Sequence, residues 1–294
     1  MRQFAKPSGA TRVARSAQSR RQVAPKMQRI KRGHVRMVKA RAGFAAALRS
    51  SAVLIIDPVS RATLFAKNAN AVMPIASLTK LMTALVVVEA RQDMGQLLTV
   101  SDADVDRLKY SSSRLKVGTK LRRSAMLHIA LMSSENRAAS ALGRSFPGGV
   151  RPFVAAMNAR AKALGMTRTR FVEPTGLSRA NVSTTEDLAK LVLAAHKHPL
   201  IRRYSTDPGY SIAQGGLTTS YRNSNRLIAN ARWDIGLQKT GYIAEAGRCM
   251  VLHAVVRGRA VVMVFLDARG KFSRAADANR VRAWLSKGHP AARP

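Results

Sequence analysis

Between Ala76 and Arg91 the chain carries a helical stretch that is apolar almost all the way round. Leu81, Met82, Ala84, Leu85, Val86, Val87 and Val88 leave almost no polar face. Such a helix belongs in the middle of a domain, with other elements packed around it. Strand-like runs lie toward both ends of the chain. Ala52 to Ile56 and Ala62 to Ala66 flank an Asp57-Pro58 turn; Leu237 to Tyr242, Arg248 to Arg257 and Ala260 to Leu266 are split by Glu245-Ala246-Gly247 and Gly258. Between them the pattern is helical, from Leu121 to Met132, Asn136 to Arg144 and Arg151 to Leu164. A further helix opens at a capping-box pattern from Ser183 to Asp187 and continues to His196, and a last one runs from Ala275 to Leu285. The order predicts an α+β fold: a five-stranded antiparallel sheet flanked by helices and completed by both chain ends, with an all-helical lobe inserted.

Met1 to Ser50 has a different character. It holds 14 Lys and Arg and no Asp or Glu, and little in it can bury enough apolar surface to offset the entropy of ordering. Residues 1–50 therefore read as a disordered basic linker ahead of a single domain over residues 51–290, a short basic helix from Ile30 to Leu48 being the lesser reading. The whole chain carries a formal charge of +36, which favours polyanionic partners such as wall polymer, an acidic membrane surface or nucleic acid. Cys249 is the only cysteine and sits in an apolar run, so it reads as a small core residue with no disulfide to make. No run reaches the ~18 apolar residues of a membrane span. The polar, basic start shows no secretory h-region. Taken literally the chain is not exported, which conflicts with the chemistry below; a start codon placed too late or a removed leader would reconcile them.

Three short strings carry that chemistry. Ser77-Leu78-Thr79-Lys80 opens the apolar helix, Ser134-Glu135-Asn136 stands between two helices, and Lys239-Thr240-Gly241 lies in a strand. Ser77 and Lys80 share a helix face, in a first turn where unpaired N–H groups and the positive dipole end gather. The lysine acts as a base only if its pKa falls far below ~10.4, as burial and a second cation, Lys239, would make it do. Ser134 offers a hydroxyl for proton relay and Asn136 an amide for a peptide group; capping of a helix is the competing account of both. Glycine inside a strand often marks where a ligand must approach the backbone closely, and Lys239 with Thr240 beside Gly241 makes a carboxylate receptor. Alternation places Lys239 and Gly241 on one face and Thr240 on the other, unless twist swings its hydroxyl toward an edge. Each string is weak alone, and Ser113-Arg114-Leu115-Lys116 repeats the first in a polar loop. Their order and contexts together make the case. The six histidines, His34, His128, His196, His198, His253 and His289, show no ligand spacing, so no metal or cofactor is expected.

From Ser51 to about Ser286 the chain resembles the serine-type D-Ala-D-Ala peptidases, the low-molecular-mass penicillin-binding proteins, and within them the D-alanyl-D-alanine endopeptidase subgroup. The likeness extends to Pro74-Ile75-Ala76, Ser111-Ser112-Ser113-Arg114-Leu115, Glu173-Pro174-Thr175-Gly176-Leu177 and Tyr242-Ile243. The resemblance implies a β-lactamase/transpeptidase-like fold and an acyl-enzyme on Ser77, with Lys80 as general base and Ser134 as relay. Asn136 would orient the peptide, Lys239 and Thr240 would bind the carboxylate, and the Ser77 and Tyr242 N–H groups would form the oxyanion hole. It further implies peptidoglycan as substrate, β-lactams as covalent inhibitors, a periplasmic or other extracytoplasmic location and no specific nucleic acid partner. Only 55 residues follow Lys239, too few for the added β-domain and membrane anchor of many carboxypeptidase relatives.

Rival readings remain open at this level. A D-Ala-D-Ala carboxypeptidase would use the same residues. A β-lactamase would need a deacylating acid, for which Glu173 is a candidate. The basic tail would suit a polyanion-binding wall protein, and a β-lactam sensor would hold its acyl group without turnover.

Overall fold

The computed structural model describes residues 43–287 except 215. Most of the segment read as a basic linker, with its expected contact to an anionic wall or membrane, lies outside the described residues, as do His34 and His289. Residues 43–47 form a short helix of their own, and Leu48 opens the unit that holds the sheet and the remaining helices. Order starts slightly before the boundary read from the sequence. Leu48 is buried, and the Ser50 N–H and hydroxyl both donate to the Asp277 carboxylate, at 2.8 and 2.7 Å.

The main sheet has five strands: β1 (Ser50–Ile56), β2 (Thr63–Lys67), β3 (Asp234–Ile243), β4 (Gly247–Val256) and β5 (Arg259–Ala268). They run antiparallel in the order β2-β1-β5-β4-β3, so the two ends of the unit meet at the centre, where Ser50 faces Ala268 and Ile56 faces Val262. Two helices, α5 (Thr185–His196) and α7 (Ser273–Ser286), both pack on β1, β4 and β5. Those strands are buried along nearly their whole length rather than at alternate positions, as strands covered on both faces are. The α5 start agrees with its sequence signal: the Thr184 hydroxyl accepts the Asp187 N–H, with Glu186 and Asp187 in the positive first turn.

The apolar helix is α1 (Thr79–Glu89), and it is central as its composition requires. Every residue from Thr79 through Val87 is buried, and α1 packs against α5 and against α2 (Arg123–Met132), α3 (Asn136–Arg144) and α4 (Val150–Ala163). Its predicted first turn is instead a 3-10 turn, Ala76–Leu78, that runs straight into α1.

Two regions differ from the sequence reading. Leu121 and Arg122, predicted as the start of a helix, belong instead to a short strand, Lys120–Arg122, paired with Leu97–Thr99. A helix α6 (Pro199–Thr206) and a hairpin of Gly209–Gln214 with Leu217–Arg222 have no counterpart in the sequence reading. Among the hairpin's described side chains only Ile212 and Tyr221 are buried, too few for a period-two pattern to show.

The centrality of α1 makes a stability prediction. Leu85, fully buried, should cost about 2–5 kcal/mol on Leu85→Ala. Leu97, exposed, should change stability by under about 0.5 kcal/mol on the same substitution. Urea denaturation of both variants measures the difference.

Candidate active site

A cavity of about 480 Å³ lies between the helical lobe and edge strand β3, and Ser77, Ser134, Asn136, Thr240, Gly241 and Tyr242 line it. Lys80 and Lys239 lie beneath, 1% and 0% exposed. The fold thus brings all eight predicted site residues together.

Lys80 Nζ donates to Ser77 Oγ at 2.9 Å, to Asn136 Oδ1 at 2.7 Å and to the Thr175 carbonyl at 2.6 Å. Burial lowers its pKa to about 8, against the opposing pull of Glu173, Glu135 and Asp106. Of the two causes expected from the sequence, burial is the one that acts, and the second cation, Lys239, is not among the influences on it. Lys239 is also pushed well below its ordinary value, first by burial and then by Lys80 and Arg274. Its Nζ donates to Ser134 Oγ and to the Thr240 carbonyl, each at 2.9 Å. Ser134, expected to serve Lys80, is thus tied directly to Lys239.

The backbone around Ser134 explains how that hydroxyl reaches inward. The Ile129 carbonyl accepts both the Ser133 and the Glu135 N–H, each at 3.1 Å, and the chain passes through Ser134 at φ 66°. This left-handed conformation costs a non-glycine residue energy, and here it turns the side chain into the cleft. Neither Ser134 nor Asn136 caps α3. Glu135 does, accepting the Arg137 N–H and the Ser113 hydroxyl. Ser113, the duplicate Ser-x-x-Lys serine, is therefore a loop support. Asn136 Nδ2 donates to Ser111 Oγ at 2.8 Å, and Ser111 in turn donates to Asp106 at 2.6 Å.

Two glycines press backbone against the Ala76–Leu78 turn that carries Ser77. A Cβ on Gly176, at φ +84°, would stand 2.0 Å from the Ala76 carbonyl oxygen. One on Gly241 would stand 3.0 Å from the Ala76 Cβ, the Ile75 carbonyl oxygen and the Ser77 nitrogen alike. The sequence predicts a ligand against the strand glycine; what packs against it is the Ala76–Ser77 peptide, which adopts a left-handed φ of 48° at Ala76. Because β3 is the sheet edge, Thr240 turns its hydroxyl to Ser224 Oγ, 2.7 Å away, and still borders the cavity.

Glu173 stabilises a loop. Its carboxylate accepts the N–H groups of Thr175 and Gly176 at 2.6 and 2.7 Å and the Asn181 amide at 2.9 Å. Asn181 also reaches Thr79 Oγ1 at 3.1 Å, so this loop is fastened to the start of α1. Cys249 is buried, with its thiol pushed up to about 12 by desolvation. His196 stacks on His253 and His198 lies 3.4 Å from Glu89, so neither faces the cleft.

The sequence reading missed Arg274, at the start of α7. It borders the cavity and donates to the Gly241 and Cys249 carbonyls at 2.8 and 3.2 Å. It stands apart from the three strings, and nothing in its local pattern marks it. Lys109, also at the cavity, forms an ion pair with Glu245 of the β3–β4 turn.

A hydroxyl bonded to a buried, weakly basic amine, beside a second buried amine and an open strand edge, defines a serine acyl-transferring hydrolase without histidine. The comparisons with known proteins agree. Residues 38–270 match the S11 peptidases, described as D-alanyl-D-alanine carboxypeptidase, and the chain belongs to that family. A D-alanyl-D-alanine endopeptidase of Pseudomonas aeruginosa is 44% identical, over 84% of this chain and 80% of its own length. One from Escherichia coli is 42% identical over 82% and 78%. The crystal structure of the Streptomyces K15 DD-transpeptidase superposes with a TM-score of 0.75 at 25% identity, covering 82% of this chain and 98% of that one. A D-alanyl-D-alanine carboxypeptidase from Mycobacterium tuberculosis also scores 0.75 at 25% identity, over 83% and 94%.

The glycine contacts yield a test. Gly176→Ala should leave the sheet and lobe folded, as far-ultraviolet circular dichroism would show. It should slow acylation by a labelled penicillin by about a hundredfold, because the Ala76–Ser77 turn must shift by an ångström or so. Ala180→Gly, in the same loop, should leave acylation unchanged.

Proposed function

We propose that the chain is a serine D-Ala-D-Ala endopeptidase that cleaves cross-links between peptidoglycan stem peptides, outside the cytoplasm. The observation that carries the reading is the 2.9 Å hydrogen bond between Ser77 Oγ and a Lys80 amine whose burial lowers its pKa to about 8. Ser77 Oγ attacks the carbonyl carbon of the penultimate D-alanine and its proton passes to Lys80 Nζ. The oxyanion forms between the Ser77 and Tyr242 N–H groups. Collapse breaks the C–N bond, and the amine leaves with a proton relayed through Ser134, whose partner is Lys239. Asn136 holds the peptide group. Lys239, Thr240 and Arg274 receive the carboxylate of the leaving residue. Water then attacks the ester carbon and restores Ser77. A β-lactam amide would open by the same first step and acylate Ser77.

Endopeptidase is favoured over carboxypeptidase by the relatives. Those at 42–44% identity are named endopeptidases, whereas the carboxypeptidases of Streptomyces and Bacillus subtilis stand at 29% and 32%. The β-lactamase reading loses its acid, since Glu173 is engaged by its own loop. Among the described residues no helix is long and apolar enough to cross a membrane.

The experiment compares the protein with Ser77→Ala. Labelled penicillin should attach to the former alone, and only the former should convert cross-linked muropeptide dimers to monomers, losing at least about a thousandfold in rate on substitution. Label retained by Ser77→Ala would move the nucleophile elsewhere. Release of D-alanine from monomers with intact dimers would make the protein a carboxypeptidase.

A further inference from the structure

A second cavity, of about 170 Å³, opens beside the cleft and shares Arg274 with it. Its wall carries four cations, Arg226, Arg248, Lys271 and Arg274, and no carboxylate. They come from separate places in the fold: the 3-10 turn Arg226–Ala229, strand β4, and the entry to α7. Among the described residues none of the four is ion-paired. Arg226 and Lys271 lie over the Phe272 ring at 5.4 and 5.7 Å, and Arg248 over the Tyr242 ring at 4.5 Å. Acids on the adjoining elements are already engaged: Asp267 accepts the Ser51 hydroxyl, and Asp277 accepts from Ser50 and Arg280. Like charges gathered without a counter-charge repel one another. Burial and then Arg248 lower Arg274 to about 10. A multivalent anion would relieve that repulsion.

Position decides which anion. Ser224 lines this cavity and is hydrogen-bonded to Thr240, so the pocket begins one hydrogen bond from the carboxylate receptor of the cleft. If that receptor takes the carboxylate of the leaving residue, a group that extends from it past Arg274 would reach the basic pocket. When a single D-alanine leaves, its one carboxylate is already held and nothing extends further. The leaving half of a cross-linked dimer is a whole peptide with a C-terminal carboxylate of its own. We propose that the Arg226–Arg248–Lys271 pocket is a subsite for this second carboxylate and selects cross-linked dimers over free stem peptides. The inference rests on the reading of the cleft as a D-Ala-D-Ala peptidase site. Guanidinium groups suit the task, since each pairs with a carboxylate through two parallel hydrogen bonds, and Phe272, 58% exposed, holds two of the cations on its ring.

The test measures equilibrium binding of a cross-linked muropeptide dimer to Ser77→Ala protein, so that turnover plays no part. Adding Arg226→Gln and Lys271→Gln should weaken dimer binding by about tenfold. It should leave binding of a monomeric stem peptide ending in D-Ala-D-Ala within about twofold. Amidating the C-terminal carboxylate of the leaving half should produce the same loss in the parent, with no further loss when both changes are combined. In the Ser77 background, unchanged acylation by penicillin confirms that the double variant folds. Dimer affinity unaltered by the two substitutions would overturn the proposal, as would an equal loss with the monomer or the amidated dimer. A synthetic poly(glycerol phosphate) that binds more tightly than the dimer through the same two residues would also overturn it. Cleavage of the dimer by Ser77 protein is scored separately. Failure there would strike the peptidase reading while the binding result still decided the subsite.

Discussion

The burial of the Lys80 ammonium is the constraint on which the site depends. Taking an amine out of water is costly unless it is hydrogen-bonded and free to lose its proton. Lys80 meets both conditions: it has three acceptors, and its pKa falls to about 8. The acceptors come from three separate elements: Ser77 from the turn before α1, Asn136 from the first position of α3, and the Thr175 carbonyl from the loop that Glu173 organises. An amine buried in this way requires the turn, the lobe and the loop to be in register. The apolar character of α1 is what makes the burial possible, since it draws the helix, and Lys80 with it, to the centre of the domain.

Backbone contact does the rest. Gly176 and Gly241 bring the loop and the edge strand against the Ala76–Ser77 peptide so closely that neither position has room for a Cβ without movement. The Ser77 N–H therefore stands beside the strand that supplies Tyr242, an arrangement suited to two convergent donors. Two of the eight left-handed non-glycine residues among those described, Ala76 and Ser134, lie here. The surrounding hydrogen bonds hold both conformations in place: Thr79 Oγ1 donates to the Ala76 carbonyl, and the Lys239 ammonium holds the Ser134 hydroxyl.

Much of this is legible in the sequence, for identifiable reasons. The five strands and central helix have strong, long-range patterns, and the three strings that line the cleft are local, so each can be read within a few residues. The features that escape notice depend on tertiary contact. Arg274 reaches the cleft only because α7 begins beside β3 and β4. Ser134 looks like a cap because serine is favoured at helix starts, whereas its left-handed backbone follows from how α2 ends. Sequence alone assigns the lowering of Lys80 in part to Lys239, but the charge that opposes it sits among Glu173, Glu135 and Asp106, residues scattered through the chain. The hairpin after α6 buries too little to leave a periodic trace.

The Lys80 amine can be observed directly. In protein labelled at lysine Cε, with the resonance assigned by its loss in Lys80→Arg, an NMR titration should show Lys80 losing its proton near pH 8, well before exposed lysines titrate. A midpoint at the ordinary lysine value of 10.5 would contradict the account, because an amine that remains fully charged at neutral pH has no capacity to take the proton of Ser77.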